Sequence, residues 1–177
     1  MLQPVLYLDV DDVICADYAD RVWAGGTTTV EFVQKYPGGF GMLRRVTFAD
    51  ALVRALGQIV DDFDVELVWD TSWCEDLLVT RKLVPKFGGA LMGGRVAQYP
   101  YGEDGEDGAW KRDFVLSDQH GDPRPFVWVD DTEVPAHGDT VRRLTAPTTS
   151  LLLAPEANIG LTPSHVELIR EFFSAVS

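Results

Sequence analysis

Cysteine is scarce in this chain. Cys15 and Cys74 are its only two thiols among 177 residues, too few for the disulfide framework of a secreted scaffold. No apolar run approaches the ~20 residues needed to span a bilayer. The opening Met1-Leu2-Gln3-Pro4 lacks the basic start and apolar stretch of a secretory leader. Reduced thiols in a cytoplasmic setting are therefore expected. Positive charge is also short: 15 Lys and Arg stand against 28 Asp and Glu, a formal net charge of -13. That balance argues against membrane contact and against an extensive nucleic-acid surface, while leaving room for a small basic pocket. No internal repeat occurs at a fixed period, which argues against a solenoid. His120, His137 and His165 are too scattered for a zinc-binding spacing.

What is present is core-forming material. Apolar residues make up 46% of the chain, with five Trp and nine Phe, enough for the core of one domain covering residues 1–177. Val5-Leu6-Tyr7-Leu8 is a short continuous apolar run, the pattern of a strand buried on both faces. Similar runs occupy Val65 to Trp69, broken only by Glu66, then Phe126 to Val129 and Ser150 to Leu153. Between them lie helical spacings. Leu52, Val53, Leu56, Ile59 and Val60 predict a helix over Ala49 to Asp61, with Thr47 and Asp50 as a capping box. Thr162-Pro163 predicts an N-cap and first-turn proline for a last helix striped by Val166, Ile169 and Phe173. Strands alternating with helices predict an α/β fold, a Rossmann-like three-layer sandwich around a parallel sheet.

Two stretches interrupt the alternation. Residues at about 15–47 are rich in Gly, Thr and aromatics, with Gly25-Gly26 and Gly38-Gly39 as turn signals; they predict a hairpin or flap inserted after the first strand. Residues 86 to 108, with the acidic Asp104 to Asp107, predict an irregular loop.

The chemistry-bearing residues sit where the apolar runs stop. The first run ends in Asp9-Val10-Asp11-Asp12, the second in Asp70-Thr71-Ser72, the third in Asp130-Asp131, and Lys111 lies between the second and third. In open α/β sheets, ligands bind beyond the carboxyl ends of the strands. Carboxylates converging there repel one another unless a cation sits among them. An all-oxygen site that keeps several waters suits Mg²⁺.

These segments together resemble the haloacid dehalogenase superfamily of phosphatases. The matching stretches are Leu6-Tyr7-Leu8-Asp9-Val10-Asp11, Leu67-Val68-Trp69-Asp70-Thr71, Lys111 in Ala109-Trp110-Lys111, and Val127-Trp128-Val129-Asp130-Asp131. The wording is similar to a small branch linked to RNA-repair proteins, and to the phosphatase half of polynucleotide kinase-phosphatases. The resemblance implies a Mg²⁺-dependent phosphomonoesterase. Asp9 would be the nucleophile, forming an aspartyl phosphate. Asp11 would be the general acid, then the general base. Thr71, Ser72 and Lys111 would contact the phosphoryl group. Asp9, Asp11 through its carbonyl, and Asp130 would hold the metal, with Asp131 as a further ligand or as a support just behind the ligands. Where many members carry Gly after the second Asp, this chain has Asp12, so the loop must accept an acid there. The partners implied are a phosphorylated nucleic-acid end or a phosphorylated small molecule, the latter including a 5'-nucleotidase substrate.

Plainer readings stand beside these. Asp9 and Asp11 also suit a strand-end turn. Asp130-Asp131 and Thr71 suit helix N-caps. Lys82, Lys86 and Arg112 compete with Lys111 for the lysine role. Trp73 suits the core as well as a substrate contact, Arg44-Arg45 suit a solvated pair, and the cysteines suit small buried residues. Another class of function also uses strand-end acids with Thr and Lys, the phospho-accepting signalling receiver. There the lysine follows the Thr near the chain end, whereas Lys111 precedes the last acids. A catalytically silent binding module would be expected to lack motif residues, and none is missing.

Overall fold

The structure, a computed structural model, describes residues 2–35, 41–100 and 109–177. The Gly38-Gly39 turn signal and the Asp104 to Asp107 stretch lie outside the described residues.

Val5–Leu8 (β1), Glu66–Trp69 (β4), Arg95–Val96 (β5), Phe126–Val129 (β6) and Ser150–Leu153 (β7) form one parallel sheet in the order β5-β4-β1-β6-β7. Alternation decides which way each side chain faces. Leu6, Leu8, Leu67, Trp69, Val127 and Val129 join the larger apolar cluster on one face. Val5, Tyr7, Val68, Phe126 and Trp128 join a smaller cluster on the other. Burial on both faces is why these strands read as unbroken apolar runs. The break at Glu66 has a local cause: its carboxylate is paired with Arg95 and Arg124 at the sheet's rim.

Asp50–Asp62 (α1) and Pro163–Val176 (α4) pack together on the first face, with Leu52, Leu56, Ile59, Val166, Ile169 and Phe173 buried. Ala109–Gly121 (α2) and Glu133–Leu144 (α3) cover the second, where Val115 and Val141 are fully buried. Each large side chain fully buried in these layers contributes about 1.5–3 kcal/mol. The start of α4 is as expected: Thr162 accepts the His165 N–H and Pro163 occupies the first turn.

The flap is a long antiparallel hairpin of Thr27–Lys35 (β2) and Gly41–Ala49 (β3). The expected capping box at Thr47 is corrected here. β3 runs directly into α1, the N-cap position falls on Ala49, and no side chain caps it. Thr47 Oγ1 instead lies 3.0 Å from Thr29 Oγ1 across the hairpin, and Thr28 Oγ1 donates to Asp50 at 2.7 Å. The segment expected to be an irregular loop from residue 86 also contains a short strand. Arg95–Val96 adds β5 to the sheet's edge, beside β4.

From β1 the chain builds outward through β4 to β5, then crosses to build β6 and β7 on the other side. The carboxyl end of β1 is thus the switch point where such sheets open a crevice. Among the described residues, no helix is long and apolar enough to cross a membrane.

Candidate active site

Three strand ends converge at that crevice. Asp9 follows β1, Asp70 and Thr71 follow β4, and Asp130 and Asp131 follow β6. Parallel register aligns them: Leu8 is opposite Trp69 on one side and Val129 on the other. Asp9 is 5% exposed and Asp70, Thr71 and Asp130 are fully buried. Lys111 reaches in from the first turn of α2. Its Nζ donates to Asp9 Oδ2 at 2.8 Å and to Asp130 Oδ2 at 2.7 Å. Among the rival cations, Lys82 and Lys86 lie on the surface. Arg112 pairs with Asp113.

The remaining oxygens are held by backbone. Asp9 Oδ1 accepts the Val10 N–H at 2.7 Å. Asp130 Oδ1 accepts the N–H groups of Thr132 and Glu133 at 2.9 and 2.6 Å, at the start of α3. The N-cap reading of Asp130-Asp131 is corrected here: the N-cap position of α3 falls on Thr132, and Asp130, two residues before it, uses one oxygen for these N–H groups and the other for Lys111. Thr71 likewise accepts the Trp73 N–H at 3.3 Å, and its side chain is among the groups that oppose the rise of Asp9. Ser72 is exposed on the rim of a small cleft shared with Phe32, Arg44 and Trp73.

Carboxylate oxygens of Asp9, Asp130 and Asp131 lie within 4.8 Å of one another, a grouping able to hold a metal ion. The electrostatics match. Burial pushes Asp9 up to about 7; Lys111 opposes the rise and Asp130 adds to it. Asp131 is raised for the same reasons, burial first and then Asp130. Burial also holds the Asp70 carboxyl well above its usual range. Its Oδ2 accepts the Trp128 indole N–H at 3.1 Å, while Oδ1 is buried without a hydrogen-bond partner. Lys111 is driven up by Asp9 and Asp130 despite its burial. One lysine among this many acids leaves the pocket short of positive charge, and hard oxygen donors suit a hard cation.

Asp11 stands apart from the metal-capable cluster. Its carboxylate Oδ2 accepts the Trp73 indole N–H at 3.0 Å and lies 4.0 Å from Arg44 on β3. It borders an open cleft of about 480 Å³ between the Asp11-Asp12 loop and the hairpin, lined also by Cys15, Arg45 and Asn158. Asp12, at the position where many members of the resembled superfamily carry glycine, has φ +53. That is the left-handed region, which Asp tolerates better than most residues. Its Oδ1 accepts the Asn158 N–H at 2.6 Å and ties the loop down. Gly160 supports the same loop from behind. It has φ +73, and a Cβ there would fall 2.7 Å from the Val13 carbonyl.

Cys15 and Cys74 are buried free thiols. Two features of the site had no assigned role in the sequence: Asp70 as a buried acid and Trp73 as the partner of Asp11. The first carried the same signal as Asp9 and Asp130, an acid ending an apolar run. The second carried none, since a tryptophan after a strand reads equally well as core.

No curated protein and no solved structure matches the chain. A family model described as the HAD domain in Swiss Army Knife RNA repair proteins matches residues 5–166, from the first residue of β1 into α4. The central parallel sheet flanked by helices is the fold of a HAD domain. With the match covering nearly the whole chain and the strand-end acids gathered at one crevice, this protein belongs to the HAD domains of Swiss Army Knife RNA repair proteins, a family that supports a HAD-type phosphatase activity.

Proposed function

We propose that the chain is a Mg²⁺-dependent phosphomonoesterase acting through an aspartyl phosphate on Asp9. The observation that carries this reading is the sharing of Lys111 between Asp9 and Asp130 at the crevice. Asp9 Oδ attacks phosphorus and the bond to the leaving oxygen breaks. Asp11 protonates that oxygen as it departs. Water then attacks the phosphorus of the aspartyl phosphate, Asp11 takes its proton, and inorganic phosphate leaves with Asp9 restored. Lys111 offsets charge gathering on the phosphoryl oxygens, and the Thr71 hydroxyl donates to one of them. Asp9, Asp130 and Asp131, with the Asp11 carbonyl, would hold Mg²⁺. Bound there, the ion would screen the repulsion between carboxylate and phosphate.

The substrate class we favour is a phosphorylated nucleic-acid end. The family's name supports it, as does an open cleft bordered by Arg44 and Arg45. The acids Asp11, Asp12 and Asp17 in that cleft, with the net charge of -13, favour a smaller ligand such as a nucleoside monophosphate. A panel with Mg²⁺ separates the two: 3'- and 5'-phosphorylated oligonucleotides, nucleoside monophosphates and sugar phosphates. The expected result is a kcat/KM for one oligonucleotide end about tenfold above the mononucleotide. The reverse ranking would give the small-molecule reading, and no turnover of any ester would end both. The domain is proposed to work as a single unit with the hairpin as its flap, in the cytoplasm.

The metal has its own test. In the metal-free chain, folded Asp9 holds its proton up to about pH 7, while the unfolded group loses it near its ordinary value of 3.8. Between these values the folded state binds more protons, so this group's contribution to stability falls as pH rises. Glu66 and Asp118 add an opposite trend at acid pH, because hydrogen bonds from Arg95 outweigh their burial. The difference with and without Mg²⁺ is therefore the readout. At pH 8 and about one hundred times Kd, Mg²⁺ should raise Tm by about 5–10 °C. At pH 5 the rise should be much smaller, because the ion must displace the Asp9 proton. An identical Tm with and without Mg²⁺ at pH 8 rules the site out.

A further inference from the structure

Asp11 has a problem that Asp9 and Asp130 do not share. Its side chain is 45% exposed, so a proton donor there has rotamers to lose before it can act. Each lost orientation lowers the fraction of molecules poised for transfer. The Trp73 indole supplies the restraint. Its Nε1 donates to Asp11 Oδ2 at 3.0 Å. The ring is 3% exposed and meets Phe32 of β2 edge to face, with centroids 5.3 Å apart. Its own backbone N–H is bonded to Thr71 Oγ1. The indole is thus held from two sides before it touches Asp11. Arg44 approaches the same carboxylate oxygen only to 4.0 Å from the rim, too far for a hydrogen bond.

An indole N–H has the right chemistry for this task. It is a donor only and does not titrate in the working range. It can hold one carboxyl oxygen whether Asp11 is protonated or ionised, and it never competes for the proton being moved. With Oδ2 occupied, Oδ1 is left to carry the proton to the leaving oxygen and to receive one from water.

We propose that Trp73 is a positioning residue for Asp11, and that Phe32 makes the hairpin part of the proton-transfer assembly. The inference rests on the phosphatase reading, with Asp11 as acid and base. General-acid help matters most when the leaving alkoxide is basic. Phenyl phosphate and p-nitrophenyl phosphate are close in shape and differ in how readily the phenolate leaves. Trp73→Phe keeps an aromatic ring and removes the N–H. The ratio of kcat/KM for phenyl phosphate to that for p-nitrophenyl phosphate should fall about tenfold. A tryptophan that merely supports the fold would lower both values together, and an unchanged ratio overturns the proposal. If that variant does not fold, Phe32→Leu carries the same test. Loosening the brace should lower the ratio about threefold, and an unchanged ratio is again fatal. The wild-type and Asp9→Asn proteins run alongside keep the two claims separate. Wild-type turnover lost in Asp9→Asn supports the phosphatase reading whatever Trp73 does, and a wild-type chain inert toward both esters overturns both.

Discussion

Asp9→Asn is expected to lower phosphatase turnover by at least about 10³-fold while leaving the fold intact. An amide of the same shape can still accept the Val10 N–H that now bonds Asp9 Oδ1. It cannot attack phosphorus, because its lone pair is delocalised and its oxygen carries no charge. The stability of the variant should move the other way. Burial pushes Asp9 up to about 7, so above neutral pH the metal-free protein bears the cost of a buried charge beside Asp130. Asparagine removes that cost, and Lys111 keeps its bond to Asp130. At pH 8 without Mg²⁺, the variant should melt at or above the wild-type temperature, and the Mg²⁺-induced rise should shrink. A site that costs stability in order to act is the usual trade-off at catalytic centres. Turnover of p-nitrophenyl phosphate and melting curves with and without Mg²⁺ decide it. Near-normal turnover would remove Asp9 as nucleophile.

The elements legible in the sequence share a physical reason. β1, β4 and β6 are buried on both faces, so each is an apolar run that stops where the sheet meets water, while β7 at the sheet's edge is a half-buried leucine run. α1 and α4 bury one clear stripe. The less legible elements are those whose residues serve the site. α2 buries Val115 and Gln119 on its inner side, and its first turn sends Lys111 into the acid pocket, so its apolar stripe is weak. α3 carries Pro135 in its first turn and Gly138 where Leu152 packs closely, which blurs the helical period. β5 is two residues in a glycine-rich stretch, below any pattern's resolving power. The failed capping box at Thr47 has the same lesson in miniature. Local spacing matched a helix start, but cross-hairpin pairing with Thr29 claimed the side chain.

The candidate site was legible in its acids and less so in their wiring. Asp9, Asp130 and Asp131 are strand-end residues, and parallel register alone brings strand ends together. Which lysine meets them depends on where α2 begins, and no periodicity gives that. The link from Trp73 to Asp11 spans 62 residues, and the hairpin's Phe32 meets the same indole edge to face. Such contacts between separate segments are set by tertiary packing and leave no trace in local pattern.

Lys111→Met tests that wiring with the second large effect. Lys111 bonds two buried carboxylates at once, with its own side chain 12% exposed. Removing one partner from a buried ionic group leaves uncompensated charge, at a cost of about 3–5 kcal/mol. Methionine fills much of the same volume, so the loss should come from charge rather than from a cavity. Turnover should fall at least about 10²-fold, the scale for losing one charged donor to a phosphoryl or oxyanion centre. The two readouts should then part company when Mg²⁺ is added. A divalent ion among Asp9, Asp130 and Asp131 would offset the missing positive charge, so stability should recover in part. Activity should not, because the donor to the phosphoryl group is still absent. Lys82→Met, at an exposed position, should change stability by no more than about 0.5 kcal/mol. If Lys111→Met behaves like Lys82→Met in both readouts, the shared lysine is not what holds the crevice together, and the catalytic reading loses its central contact.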